Sequence, residues 1–244
     1  MKAIILCAGR GSRTGLNYPK CIHKFDNGKN LISRNIENLK NCGFKNTDII
    51  FATGYAEKII KKKTANKFKY IKNSKFSSTN MVYSFNEVLK KIKSDDVIII
   101  YADIIYNINA LKKIMISKKD IVTLVDSDWL QKWKLKPDYK NDFESLKIKN
   151  NKIISLGNKT KNIKNIDGRF VGITKFSKKM IKLIKLKKVI VNELEKNKKL
   201  DFTGFLMKLI QKNYDINVII NKIIWFEFDT KKDFEIYKKI RNKI

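Results

Sequence analysis

Apolar residues follow two alternating rhythms through the first half of the chain. Short, nearly unbroken runs at Lys2–Cys7, Asp48–Thr53, Lys69–Lys72, Val97–Tyr101 and Ile121–Val125 read as buried strands. Between them, apolar positions recur every three to four residues, as at Leu31, Ile32, Ile36 and Leu39. That spacing predicts helices over Leu31–Cys42, Tyr55–Lys63, Met81–Ile92 and Ile108–Ser117, with Ser78 or Thr79 capping the third. Such alternation implies an α/β fold, with three α/β/α layers around a mixed, mainly parallel sheet. The second half changes character. Phe143–Lys149 and Lys152–Leu156 flank Asn150-Asn151, a hairpin turn. Strands are expected at Phe170–Phe176, Ile216–Ile220 and Ile223–Phe228, and helices near Lys178–Leu186, Phe202–Lys212 and Lys231–Arg241. With no Pro/Gly/Ser linker and no repeat, the expected layout is one domain over 1–244. Its second half, from 127, adds antiparallel strands that wall a pocket.

Composition narrows the class. At 244 residues and 43% hydrophobic content the chain can bury a full core. No apolar run approaches the roughly 20 residues of a membrane span, so no membrane insertion is expected. Cys7, Cys21 and Cys42 are odd in number and lack CxxC spacing, which suits reduced thiols in the cytoplasm. His23 is the sole histidine, which excludes chemistry needing two. The net charge is +31, yet only five of the 54 basic residues are arginine. The lysines are spread along the chain beside much Ile and Asn, a compositional drift and not a focused nucleic-acid patch. Such a field still attracts small polyanions.

The opening MKAIILCAGRGSR carries the first chemistry. Gly9 and Gly11 stand just past the carboxyl end of a strand, where open α/β sheets bind ligands. Glycines there are either plain turn residues or a backbone cradle for phosphate. A dinucleotide-binding turn would need an acid at the end of the second strand, which instead closes Phe51-Ala52-Thr53-Gly54; a P-loop motif is absent. A cradle that also uses Arg13 and Pro19-Lys20 accounts for the whole stretch. The segment Leu6 to Arg13 followed by Pro19-Lys20 resembles the L-x-A-G-x-G-x-R…P-K signature of nucleotidyltransferases of the sugar-nucleotide pyrophosphorylase type, with a shorter spacer, Thr14 to Tyr18.

Joining two anions calls for cations and Mg²⁺, whose hard-oxygen ligands are carboxylates. Asp103 and Asp229 each end an apolar strand; each could otherwise be a helix N-cap. The resemblance extends to both. Tyr101-Ala102-Asp103 is similar to the family's metal-binding G-D, and Trp225-x-Glu227-x-Asp229-Thr230 to its W-x-E-x-D-T close. Asn73-Ser74-Lys75, Thr79-Asn80-Met81-Val82-x-Ser84, Val125 to Trp133, Glu144 to Lys147, Gly157-x-Lys159 and Gly168 to Gly172 are similar to one branch. That branch holds the cytidylyltransferases acting on phosphocholine, 2-aminoethylphosphonate or phosphoglutamine, whose products are CMP-activated head groups for surface glycans or lipids.

The resemblance implies a GT-A-like nucleotidyltransferase fold, with a nucleotide-binding half over 1–126 and an acceptor-binding half over 127–244. It implies Mg²⁺ on Asp103 and Asp229, and Arg13 and Lys20 on the triphosphate of CTP. Leu6, Ala8, Gly9, Gly11, Ser12 and Asn80 would lie against the nucleotide. For the acceptor, Trp129 and Trp133, four apart, would form an aromatic wall with Asp128 holding an amine; core packing is the competing role. Glu144 is expected near the amine or the metal. Lys159 and Arg169 are expected on the acceptor's phosphate, Arg169 the more informative because arginine is scarce. Phe202-Thr203-Gly204 departs from the branch, which often has an aspartate after the threonine. A sugar-1-phosphate nucleotidyltransferase is the runner-up and a basic nucleic-acid binder the remote alternative; a monomer or homodimer is expected.

Overall fold

Lys2–Cys7 (β1) is apolar at nearly every position, so both its faces must be covered, and it lies at the heart of the sheet. The computed structural model describes residues 1–26, 28–137, 139–222 and 225–240. The other strands are β2 (Lys24–Asp26), β3 (Lys29–Asn30), β4 (Ile49–Thr53), β5 (Lys69–Lys72), β6 (Val97–Tyr101), β7 (Ile104–Tyr106), β8 (Ile121–Asp126), β9 (Glu144–Lys149), β10 (Lys152–Lys159), β11 (Arg169–Phe176), β12 (Asn217–Asn221) and β13 (Trp225–Glu227). The helices are α1 (Leu31–Asn41), α2 (Glu57–Lys63), α3 (Met81–Lys91), α4 (Ile108–Met115), α5 (Trp129–Trp133), α6 (Lys178–Leu186), α7 (Val189–Lys196), α8 (Phe202–Gln211) and α9 (Lys231–Ile240).

Nine strands form one sheet in the order β5-β4-β1-β6-β11-β8-β12-β10-β9. β1 pairs in parallel with β4 and β6, β4 with β5, and β8 with β12, while β11 and β10 run against their neighbours. This is the mixed, mainly parallel sheet that the alternating pattern predicts. Period-2 alternation divides each strand between two apolar layers. Ala3 and Ile5 pack with α1, α4 and α9 on one face. Ile4 and Leu6 pack with α3, α6, α7 and α8 on the other. The small β13–β7 ribbon stands apart from the large sheet and brings Glu227 opposite Ile104.

Several local expectations are corrected. Asn80, not Ser78 or Thr79, caps α3: its side-chain oxygen accepts from the Met81 amide at 2.8 Å. Thr79 is drawn into the preceding turn instead, donating to the Lys75 carbonyl. α2 begins at Glu57, because Ala56 takes a left-handed conformation (φ 50°). α7 and β7 are elements the pattern does not announce, being short and packed into larger neighbours. Ile223, Ile224 and Arg241, expected at the edges of a strand and a helix, lie outside the described residues. The hairpin turn is as expected: Asn150 and Asn151 have φ of 50° and 57°, the pairing that type I′ turns require. No helix among the described residues is long and apolar enough to cross a membrane.

Candidate active site

The carboxyl ends of β1, β5 and β6 open into a cleft of about 250 Å³. Its floor is Leu6, Cys7 and Ala8; Gly9, Gly11, Ser12 and Arg13 form one rim. The turn between them is backbone-built. Gly11 (φ 68°) and Gly15 (φ 66°) bracket the Ser12–Thr14 turn, and the Thr14 hydroxyl donates to the Gly11 carbonyl at 2.7 Å. At Gly11 a Cβ would meet the Lys20 side chain at 3.0 Å, so glycine both supplies the left-handed backbone and leaves Lys20 its path. Tyr55 ties the loop down: its hydroxyl donates to the Asn17 carbonyl, and Arg10 lies over its ring.

The opposite rim is the Asn73–Ser84 segment. Asn73 is buried and donates to Thr79 Oγ1 (2.9 Å) and Ser84 Oγ (3.0 Å), while its oxygen accepts from the Lys75 amide. This clamp gives Asn73, Thr79 and Ser84 a shared structural role. It presents Asn80 to the cleft, with the Asn80 amide donating to the Lys199 carbonyl behind it.

Acid and base meet at the inner end. Lys20 Nζ lies 2.6 Å from Asp103 and 3.6 Å from Asp229, and Arg13 Nη2 lies 2.7 Å from Asp229. Carboxylate oxygens of Asp103, Glu227 and Asp229 lie within 4.8 Å of one another. At an effective dielectric near 20, such a pair repels by roughly 3 kcal/mol, so the cluster persists only where cations answer it. Burial alone would lower the Lys20 pKa, but Asp103 and Asp229 outweigh it and hold the ammonium firmly charged. Burial likewise opposes ionisation of Asp229, yet Lys20, Lys136 and Arg13 keep its pKa below the usual range. Burial and the neighbouring Asp229 push Glu227 above it.

Two contributors escape sequence reasoning. Lys136 is one lysine among dozens, yet it is buried, donates to the Glu227 carbonyl at 2.8 Å and lies within 3.6 Å of Asp229. Asp233 accepts from the amides of Asp229 and Thr230 at 2.8 and 2.7 Å, fixing the first turn of α9 and with it the Asp229 backbone. The legible signal for Glu227 was its place in the W-x-E-x-D-T stretch; for Lys136 and Asp233 there was none.

A second cavity, about 360 Å³, joins the first and shares Arg13, Asn80, Met81, Tyr101 and Asp229 with it. β9, β10 and β11 wall it. Gly172 (φ 81°) breaks the β11 register beside Tyr101, whose ring would stand 2.8 Å from any Cβ there. Glu144 and Arg169 line this cavity as expected, with Asp142, Asp201 and Thr203. Arg169 is not open-handed: it forks onto the Asp142 carbonyl and carboxylate at 2.7 and 2.9 Å. Gly204 offers no side chain, and the carboxylate from this end of α8 is Asp201, which also caps the helix through the Gly204 amide.

The acceptor wall is corrected. Trp129 and Trp133 are only 4% and 1% exposed and line neither cavity. Trp129 packs edge-on against Phe143, and Trp133 against Trp225. Two indoles of this size bury more favourably than they solvate, and the i,i+4 face of α5 turns into the core. Trp133 still serves the site indirectly, as the surface on which Arg169 and Lys136 rest at 4.1 and 4.4 Å. Asp128 sits at the start of α5 and lines neither cavity, its amide tied to Asp126. Lys159 is exposed and lines a separate groove with Leu130 and Tyr139, because β10 bulges between Leu156 and Lys159.

Residues 3–133 match the MobA-like NTP transferase domain. The chain is 32% identical to the CTP:phosphoglutamine cytidylyltransferase of Campylobacter jejuni, over 97% of this chain and 98% of that protein. In fold it is similar to the inositol-1-phosphate CTP transferase of T. maritima (TM-score 0.73, 19% identity, 100% and 97% coverage). It is similar also to the CTP:phosphocholine cytidylyltransferase of Streptococcus pneumoniae (TM-score 0.67, 19% identity, 98% of each chain).

Proposed function

Since the chain belongs to the MobA-like NTP transferase family and is one of its cytidylyltransferases, we propose that it moves CMP from CTP onto a small amine-bearing phosphate or phosphonate. Pyrophosphate is released, and the product is an activated head group for a surface glycan or lipid, made in the cytoplasm where CTP is supplied. The observation that carries this reading is the convergence of Arg13, Lys20, Asp103 and Asp229 where the two cavities meet.

In the reaction an acceptor oxygen bonds to the α-phosphorus as the bond to the β-phosphate oxygen breaks in line. Catalysis of such a step is positional and electrostatic, with no protein nucleophile. The glycine turn would direct backbone amides at the triphosphate. Lys20, kept charged by two aspartates, would stand over the developing negative charge, and Arg13 would neutralise the departing pyrophosphate. The base would lie against Leu6, Ala8 and Asn80. The three clustered carboxylates are a hard-oxygen donor set that fits Mg²⁺, with Asp103 and Asp229 as its ligands and Glu227 beside them. When bound, the ion would offset phosphate charge at the reacting centre. Five carboxylates face two arginines around the second cavity, which suits an acceptor carrying an amine.

The test is Asp103→Asn. Its expected effect is loss of turnover by on the order of a thousandfold with the folded state retained, and chelation of divalent metal should silence the unaltered enzyme. A folded Asp103→Asn protein with full activity would overturn the site assignment.

A further inference from the structure

A half-buried carboxylate that lines a cavity without a direct hydrogen bond or ion pair is free to bind a positively charged ligand. Glu144 is such a group, with Arg169 acting on it only at longer range. It lines the second cavity, and no described residue gives it a hydrogen bond or ion pair. Its neighbours are engaged: Asp142 is taken by Arg169, and Asp201 holds the start of α8 through one oxygen. Burial first, then Asp142, Asp201 and Asp229, push the Glu144 carboxyl above its ordinary value, against the pull of Arg169. Beside it, buried Ser145 also lines the cavity, and its hydroxyl has no partner among the described residues. With Glu227 and Asp229 assigned to the reacting centre, this end of the cavity keeps three carboxylates against one arginine. It is built to receive positive charge.

The form of that charge follows from the walls. A quaternary ammonium has no N–H and is held by aromatic faces. Here only Tyr101 and Phe170 among the lining residues are aromatic, and they meet each other edge to face at 5.8 Å. Trp129 and Trp133 are in the core. A primary ammonium has three donors, which free carboxylate oxygens can accept.

We propose that Glu144, with Asp201 on the same cavity, selects acceptors ending in a primary ammonium and rejects quaternary ones. The inference rests on the amine-bearing acceptor proposed above. Phosphoethanolamine and phosphocholine share a skeleton and differ by three methyl groups, so they isolate the question. With CTP and Mg²⁺, kcat/KM should favour phosphoethanolamine by about a hundredfold, since a site that hydrogen-bonds a group discriminates strongly against its absence. Glu144→Gln should raise KM for phosphoethanolamine far more than it lowers kcat, should narrow the ratio between the two acceptors, and should bind CTP as the unaltered protein does by calorimetry. Equal or better use of phosphocholine would overturn the proposal, and so would a ratio unmoved by Glu144→Gln. Failure to bind either acceptor while CTP binds would also overturn it, leaving cytidylyl transfer intact. Failure to bind CTP would sink the reading beneath it as well.

Discussion

At the level of single residues, charge geometry separates the groups that act from those that only fill space. Arg13 is two-thirds exposed in its side chain, so Arg13→Ala should remove the proposed triphosphate contact with little structural cost. Its kcat/KM should fall by about a hundredfold with an unchanged melting temperature; an unchanged kcat/KM would contradict the role. His23 offers a pH test, because its imidazole is the only one in the chain. Burial first, then Lys238 and Lys231, lower its pKa below the ordinary 6.5. The unfolded chain therefore binds a proton more readily than the folded one. Its contribution to stability is complete above pH 6.5 and is lost as the pH falls below that value. Proton NMR of the single imidazole should give a midpoint below 6.5; a midpoint above it would contradict the packing of His23 against Phe234. Arg13, Asp103 and Asp229 were legible because each sits in the glycine turn or just past a strand, and Lys20 because it follows Pro19 in the opening motif. Trp129 and Trp133 were not, since i,i+4 spacing fixes a shared face but not where that face turns. Lys136 was hidden by lysine abundance.

At the level of elements, strands were legible because a parallel strand buried on both faces needs an unbroken apolar run, as in β1 and β6. α7 was illegible because its apolar positions continue those of α6, and β7 because only Ala102 and Asp103 separate it from β6. Turn chemistry was the clearest local signal. Asn150 and Asn151 both occupy left-handed backbone, which costs other L-residues roughly 1–2 kcal/mol. Asn151→Ala should lower unfolding free energy by about 1 kcal/mol in a denaturant melt, while Asn151→Gly should leave it nearly unchanged. Equal stability of the two variants would mean the turn does not hold this geometry in solution.

For the whole molecule, the order of the sheet was beyond the sequence pattern. Periodicity shows that β11 exists, but its insertion between β6 and β8 depends on long-range packing. That insertion brings Arg169 and Gly172 to the second cavity. The charge of +31 acts at this scale too. It should draw a polyanionic nucleotide toward the cleft, so kcat/KM for CTP should fall several-fold as ionic strength rises from about 0.05 to about 0.5 M, with kcat nearly constant. A flat profile would show that the dispersed lysines do not steer the substrate.

The most direct measurement crosses CTP, UTP, ATP and GTP with phosphoethanolamine, 2-aminoethylphosphonate, phosphoglutamine and glucose-1-phosphate in the presence of Mg²⁺. Pyrophosphate and the new phosphoanhydride product are followed by phosphorus NMR. Both should form in equal amounts, with CTP and an amine-bearing acceptor. Product formation only with glucose-1-phosphate, or with another nucleotide in place of CTP, would contradict a cytidylyltransferase acting on amine-bearing head groups.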